Sequence, residues 1–66
     1  MSDRYDTFEV FCEVEDADEE WLTIDTGDRV AVIAREEVYP GSEVRVTGDE
    51  GLLVLSRTYA EEVGLA

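Results

Sequence analysis

Sixty-six residues are enough for one small domain, and a chain this short buries only about 60% of its unfolded surface. Eighteen acidic residues against five basic ones give a formal net charge of -13, with no histidine and one cysteine, Cys12. This composition excludes an intramolecular disulfide and a Cys/His zinc site, and no segment approaches the ~20 apolar residues of a membrane span. No secretory leader is visible, so the expected location is the cytoplasm, without a membrane partner.

All five basic residues are arginines, at positions 4, 29, 35, 45 and 57. High net charge accompanies disorder when apolar content is low. Here 44% of the residues are hydrophobic and they alternate regularly, which predicts a folded chain. Abundant Asp and Glu without Lys resembles proteins of halophilic archaea. At ~1 M salt the Debye length falls to about 3 Å, and the self-repulsion of an acidic surface is screened.

In chain order, residues 1–6 are polar and expected to fray. Phe8, Val10, Cys12 and Val14 alternate with Glu9, Phe11, Glu13 and Glu15, the pattern of a half-buried strand over 8–15. The acidic run 16–20, DADEE, reads as a solvated connection. It lacks the alternating ligands and central glycine of a calcium loop, so no metal is expected there.

Residues 21–35, WLTIDTGDRVAVIAR, read as a β-hairpin. Two period-2 runs, 21–26 and 29–35, flank a short polar break with Gly27, a residue that tolerates positive φ. Residues 36–39 suffice for one loose helical turn, and Pro40-Gly41 marks a chain reversal. A fourth strand is predicted over 43–48, where Val44 and Val46 alternate with Glu43, Arg45 and Thr47. After a turn at 48–51, the apolar run 52–55 predicts a closing strand over 51–57 covered on both faces. Thr58-Tyr59-Ala60-Glu61 fits a capping box and Gly64 suits a helix C′ position, predicting a terminal helix at about 59–63 within 58–66. A helix so short must dock to be stable.

Within each strand one parity is richer in apolar residues. Phe8, Val10, Cys12, Val14, Leu22, Ile24, Val30, Val32, Val44, Val46, Leu52 and Val54 form the expected inward set. The other parity mixes charge with Phe11, Trp21, Ala31, Ile33, Leu53 and Leu55. Three coverings of that second face compete. The terminal helix brings Tyr59, Val63 and Leu65; a second copy of the chain buries it; or it is a ligand platform.

The order of strands and turns resembles small OB-fold domains of the tRNA-anticodon-binding-like type. The positions that carry the likeness are Trp21, Leu22, Ile24, Asp25 and Gly27, then Gly41, Val44, Val46 and Gly48, then Leu52 to Leu55. The likeness as a whole covers residues 8–57, and the same punctuation occurs in SH3-like barrels. The resemblance implies an all-β, five-stranded OB-like barrel with a short C-terminal helix, the whole chain forming one domain; an SH3-like barrel is the alternative. It further implies binding of single-stranded RNA or DNA on the face of strands 2 and 3. On this chain the nucleic-acid contacts would be Phe11, Trp21, Thr23, Arg29, Ile33, Arg35 and Arg45. Stacking on an aromatic contributes ~1–3 kcal/mol per base, while phosphate attraction is weak in strong salt.

The bland readings of the same residues are specific. Trp21 plugs an edge or packs on the terminal helix. The arginines pair with neighbouring carboxylates, and Cys12 is a small core residue. A second functional class therefore stands beside nucleic-acid binding: a protein-interaction or homodimerisation module built on Phe11, Ile33, Leu53 and Leu55. Paired-carboxylate catalysis needs a concave, partly dry site, and no insertion forms one, so neither enzyme activity nor a cofactor is expected.

Overall fold

The computed structural model describes residues 6–66. Four antiparallel strands form one sheet: β1 (Thr7–Ala17), β2 (Trp21–Asp25), β3 (Val30–Ala34) and β4 (Glu50–Ser56), in the spatial order β3-β2-β1-β4. A single 3₁₀ turn, Arg35–Glu37, follows β3, where the sequence allowed one loose turn. One short helix, α1 (Arg57–Glu62), follows β4 directly. Among the described residues no helix is long and apolar enough to cross a membrane. The expected fray of 1–6 lies outside the described residues except at Asp6, whose carbonyl accepts from the Arg57 amide and whose carboxylate pairs with Arg57 Nε at 3.1 Å.

The all-β expectation holds, but the sheet has four strands and does not close into a barrel. That corrects both the five-stranded OB-like and the SH3-like readings. The missing strand is 43–48, and its own residues divert it. Val44 is fully buried while Val46 is exposed. Asp49 Oδ2 accepts from the amides of Arg45 (2.8 Å) and Val46 (3.0 Å), curling 45–49 into a turn. An aspartate that bonds nearby backbone amides offers the chain an alternative to a ladder.

The 39–43 stretch still lies along β4. Tyr39 and Glu43 donate their amides to the carbonyls of Val54 (2.9 Å) and Leu52 (2.8 Å). In return, side chains stand in for carbonyls: Glu43 Oε1 accepts from the Leu52 amide at 3.0 Å, and Ser42 Oγ from the Val54 amide at 2.9 Å. This clamp needs Gly51. A Cβ there would come within 2.8 Å of Glu43 Cβ and 2.6 Å of its Oε1.

The hairpin at 21–35 forms as expected. Thr26 and Arg29 close it with an amide-to-carbonyl bond of 2.9 Å, and Asp25 Oδ1 accepts from the Gly27 amide at 2.8 Å. β1 is longer than predicted and carries a bulge: Val14 stands opposite Ile24, but Asp16 stands opposite Thr23, leaving Glu15 as the extra residue.

The inward set needs correction in β3 and β4. Val10 is opposite Leu53, and Leu22 is opposite Ile33, so even positions in one strand share a face with odd positions in its neighbour. Ala31, Ile33, Leu53 and Leu55 are therefore buried with Cys12, Val14, Leu22, Ile24, Val44 and Ala60. Val30, Val32, Val46 and Leu52 are exposed instead. Burial pushes the Cys12 thiol above its usual pKa, in keeping with a core role.

The terminal helix also lands elsewhere than one expectation had it. Ala60 joins the core, and Tyr59, Val63 and Leu65 pack on the same inner face, leaving the other face of the sheet uncovered by α1. Its N-cap is Ser56, whose Oγ accepts from the Tyr59 amide at 3.1 Å; Thr58 lies inside the helix and Tyr59 stands at N3, so a single serine cap two residues earlier replaces the predicted capping box. The C-terminal end matches. Gly64 sits at φ 85°, its amide bonds to Glu61 O and the Leu65 amide to Ala60 O, the two bonds of a Schellman cap.

Candidate functional site

The uncovered outer face of the sheet is where the sequence placed a binding platform. Residues directly opposite one another in an antiparallel ladder share a face, so the register maps it. Phe11 stands opposite Leu52, Glu9 opposite Val54, and Thr23 opposite Val32. Glu50, Glu13, Asp25 and Val30 form one row across the four strands. Phe11 is 63% exposed and Trp21 45% exposed, with Val30, Val32 and Leu52 exposed beside them. The face is thus apolar and acidic together.

Three carboxylates abreast repel each other, and a fourth joins them at the bulge. Glu15 titrates above the ordinary carboxylate range. Loss of water around it is the first cause, followed by a hydrogen bond with Asp25 and the charges of Asp25 and Glu13. Among the described residues no group of three or more acidic or cysteine side chains is arranged to hold a metal ion.

The seven residues expected to meet nucleic acid do not converge. Phe11, Trp21 and Thr23 lie on the outer face. Ile33 does not: it is fully buried, so its side chain belongs to the core. Leu53 and Leu55, expected with Phe11 and Ile33 on an interaction face, are core residues for the same reason of register. Arg29 turns toward the C-terminal end and donates to the Gly64 carbonyl. Arg35 Nε donates to the Asp18 carbonyl.

Arg35 and Arg45 both line one shallow groove, with Leu22, Tyr39, Pro40 and Val44 in its walls. That groove was not foreseen from the sequence, because it exists only once 38–45 has folded back as a loop. Trp21 borders a second depression with Glu19, Glu20, Arg35 and Glu36, on the face of the sheet opposite the one α1 packs against. The acidic connection before it is structural. Asp18 Oδ1 accepts from the amides of Glu20 (2.9 Å) and Trp21 (2.8 Å), and these bonds, with the Arg35 charge, hold its carboxyl below the usual range.

Comparison with protein-family models, curated proteins and solved structures finds no significant match. What the fold defines is an all-β domain with an open four-stranded antiparallel sheet, one face packed under a short helix and the other left bare by the described residues.

Proposed function

We propose that the chain is a non-catalytic protein-binding domain adapted to concentrated salt, with the outer face of the sheet as its contact surface. One observation carries this reading: Phe11, Trp21, Val30, Val32 and Leu52 stay exposed on one face, interleaved with Glu9, Glu13, Asp25 and Glu50. Exposed apolar groups gathered on one face of a small domain mark interaction surfaces; here they form two sets, Phe11 with Leu52 on β1 and β4, and Trp21, Val30 and Val32 on β2 and β3. The carboxylates among them disfavour a polyanion and suit a partner that offers apolar and basic groups. The row of opposed carboxylates also supports the salt adaptation, since like charges directly across a ladder destabilise it until ions screen them.

The test is affinity capture from an extract of halophilic cells in ~2 M KCl, where long-range charge effects are screened. Wild-type chain is compared with a Phe11→Ser/Leu52→Ser variant. Proteins retained by the wild type and lost with the variant support the reading. Equal retention by both chains contradicts it. The salt adaptation predicts native Trp21 fluorescence in molar KCl and its loss on dilution into low salt; a chain folded equally well in both refutes that part.

A second reading, nucleic-acid contact, draws on Arg35 and Arg45 lining one groove beside Tyr39. It moves the contact from the face of β2 and β3 to the 38–45 loop. Single-stranded oligonucleotide would then shift the amide resonances of Tyr39 and Val44, which line the groove, and Arg35→Ala/Arg45→Ala would abolish the shifts. An oligonucleotide without effect on the wild type removes this reading.

A further inference from the structure

The order β3-β2-β1-β4 makes β3 an edge strand. Backbone groups along an antiparallel strand point alternately toward and away from the neighbour. Two bonds fix the phase for β3: the Thr26 amide to Arg29 O, and the Arg35 amide to Glu20 O. Ala31 and Ile33 therefore bond to β2, while Val30, Val32 and Ala34 direct their N–H and C=O groups outward. The Ala34 amide is taken by the Tyr59 hydroxyl at 2.9 Å. Among the described residues nothing meets the outward amides and carbonyls of Val30 and Val32.

We propose that this edge pairs with the same edge of a second copy of the chain, antiparallel, about a two-fold axis at Ala31. In that register Val30 of each copy lies opposite Val32 of the other. Each pair exchanges two backbone hydrogen bonds, so the open amides and carbonyls of the two copies are all satisfied. Centring the axis on Val32 instead would require the Ala34 amide, which Tyr59 already holds. The edge is thus self-complementary in the register centred on Ala31.

Charge points to the same occupant. Residues 29–35 carry Arg29 and Arg35 and no carboxylate, in a chain of net charge -13. The proposed register sets the turn bearing Asp28 against the Arg35 end of the other copy, twice over. Val30 and Val32, 55% and 51% exposed, cover one another on the outer face. Two short strands bury less than the ~800 Å² per partner of a stable dimer, so the association is weak and concentration-dependent. It also needs salt, because two strongly acidic chains repel until screened. The inference goes beyond the protein-binding reading: it shares Val30 and Val32 with that surface but turns on the backbone of the edge and not on Phe11 or Leu52.

The experiment is sedimentation velocity over a range of concentrations, in ~0.2 M and ~2 M KCl, with the second condition strongly screened. The chains are wild type, Phe11→Ser, Val32→Pro and Val32→Lys. Proline suits an edge position whose amide faces outward, and it removes one interchain donor from each copy. A lysine on an edge strand opposes pairing and weakens the dimer by roughly tenfold or more. Expected is a monomer that becomes a dimer with concentration in strong salt, for wild type and Phe11→Ser alike. Val32→Pro stays monomeric with unchanged Trp21 fluorescence and far-ultraviolet circular dichroism. If proline unfolds the chain, Val32→Lys gives the decision. A wild type that remains monomeric in strong salt overturns the proposal, as does a Val32→Lys chain that dimerises undiminished. Slow exchange of the Val30 and Val32 amides in a dilute monomer also overturns it, because another segment of the same chain would then occupy the edge.

Discussion

The sheet ends in β4 on one side and in β3 on the other, and the two margins are finished differently. Along β4, the 39–43 stretch supplies two backbone amides, a serine hydroxyl and a glutamate carboxylate to the outward groups of Leu52 and Val54. Along β3, one tyrosine hydroxyl covers Ala34 and the described residues leave Val30 and Val32 open. An exposed edge is a template for pairing, and chains usually blunt it with charge, proline or a covering segment. This chain has blunted one margin with its own side chains. The contrast teaches where association is available to a domain whose surface is otherwise crowded with carboxylates.

The sharpest way to break the comparison is to test which residues of the two margins face inward. Leu53→Ala and Ile33→Ala each empty a fully buried site, and each should cost ~2–5 kcal/mol, enough to unfold a domain of this size. Val32→Thr, one residue away on the exposed side, should change stability by less than about 0.5 kcal/mol. Urea midpoints in strong salt read all three, and the opposite ranking would mean that the register is wrong.

Next comes the clamp itself. Gly51→Ala forces a methyl against the Glu43 side chain and should destabilise by about 1–3 kcal/mol, while loosening the Leu52 amide. An unchanged urea midpoint would show that Glu43 does not lie over Gly51. Smaller again are the single hydroxyls. Ser42→Ala leaves the Val54 amide without its partner at the β4 margin, and Tyr59→Phe does the same to Ala34 at the β3 margin. Each should cost about 1 kcal/mol, read by thermal unfolding. Tyr59→Phe should leave dimer formation intact, since the proposed register spares Ala34.

The smallest effect is acid sensitivity. Backbone bonds from Val46, then Arg45, hold Asp49 below the usual carboxylate range, as those from Glu20 and Trp21 do for Asp18. A folded-state pKa below the unfolded value contributes stability at pH above the unfolded pKa of about 3.9, and that contribution is lost as pH falls through the folded pKa. Glu15 has the opposite sign: its raised pKa favours the fold at low pH and opposes it as pH rises through the folded value. Asp49→Asn should therefore flatten the acid limb of the stability profile, and Glu15→Gln should raise stability near neutral pH. Unfolding midpoints from pH 2 to 7, spanning the ordinary carboxylate range of about 4, check both signs.

Much of this architecture was legible in the sequence. The alternation in 8–15 and 21–35 gave β1, β2 and β3, and Gly27 and Gly64 marked a turn and a helix end for the stated stereochemical reason. Cys12 belonged to the core by parity alone. Runs such as VAVIA and LLVL hid their inward side, because both parities are apolar and only the pairing of Leu22 with Ile33 and Val10 with Leu53 decides. The segment 43–48 alternates like a strand, yet Asp49 gathers the amides of Arg45 and Val46, a competition that periodicity does not register. Of the expected site, Phe11, Trp21 and Thr23 share the outer face. The arginines do not join them, since long flexible side chains go to the nearest carbonyl, here Gly64 for Arg29 and Asp18 for Arg35.

The central claim is that the two margins differ, and amide hydrogen exchange on dilute chain in ~2 M KCl, a strongly screened solution, reads it residue by residue. The account predicts slow exchange at Leu52 and Val54, whose amides meet Glu43 and Ser42, and fast exchange at Val30 and Val32. Equal protection at all four amides, or faster exchange along β4 than along β3, would contradict it.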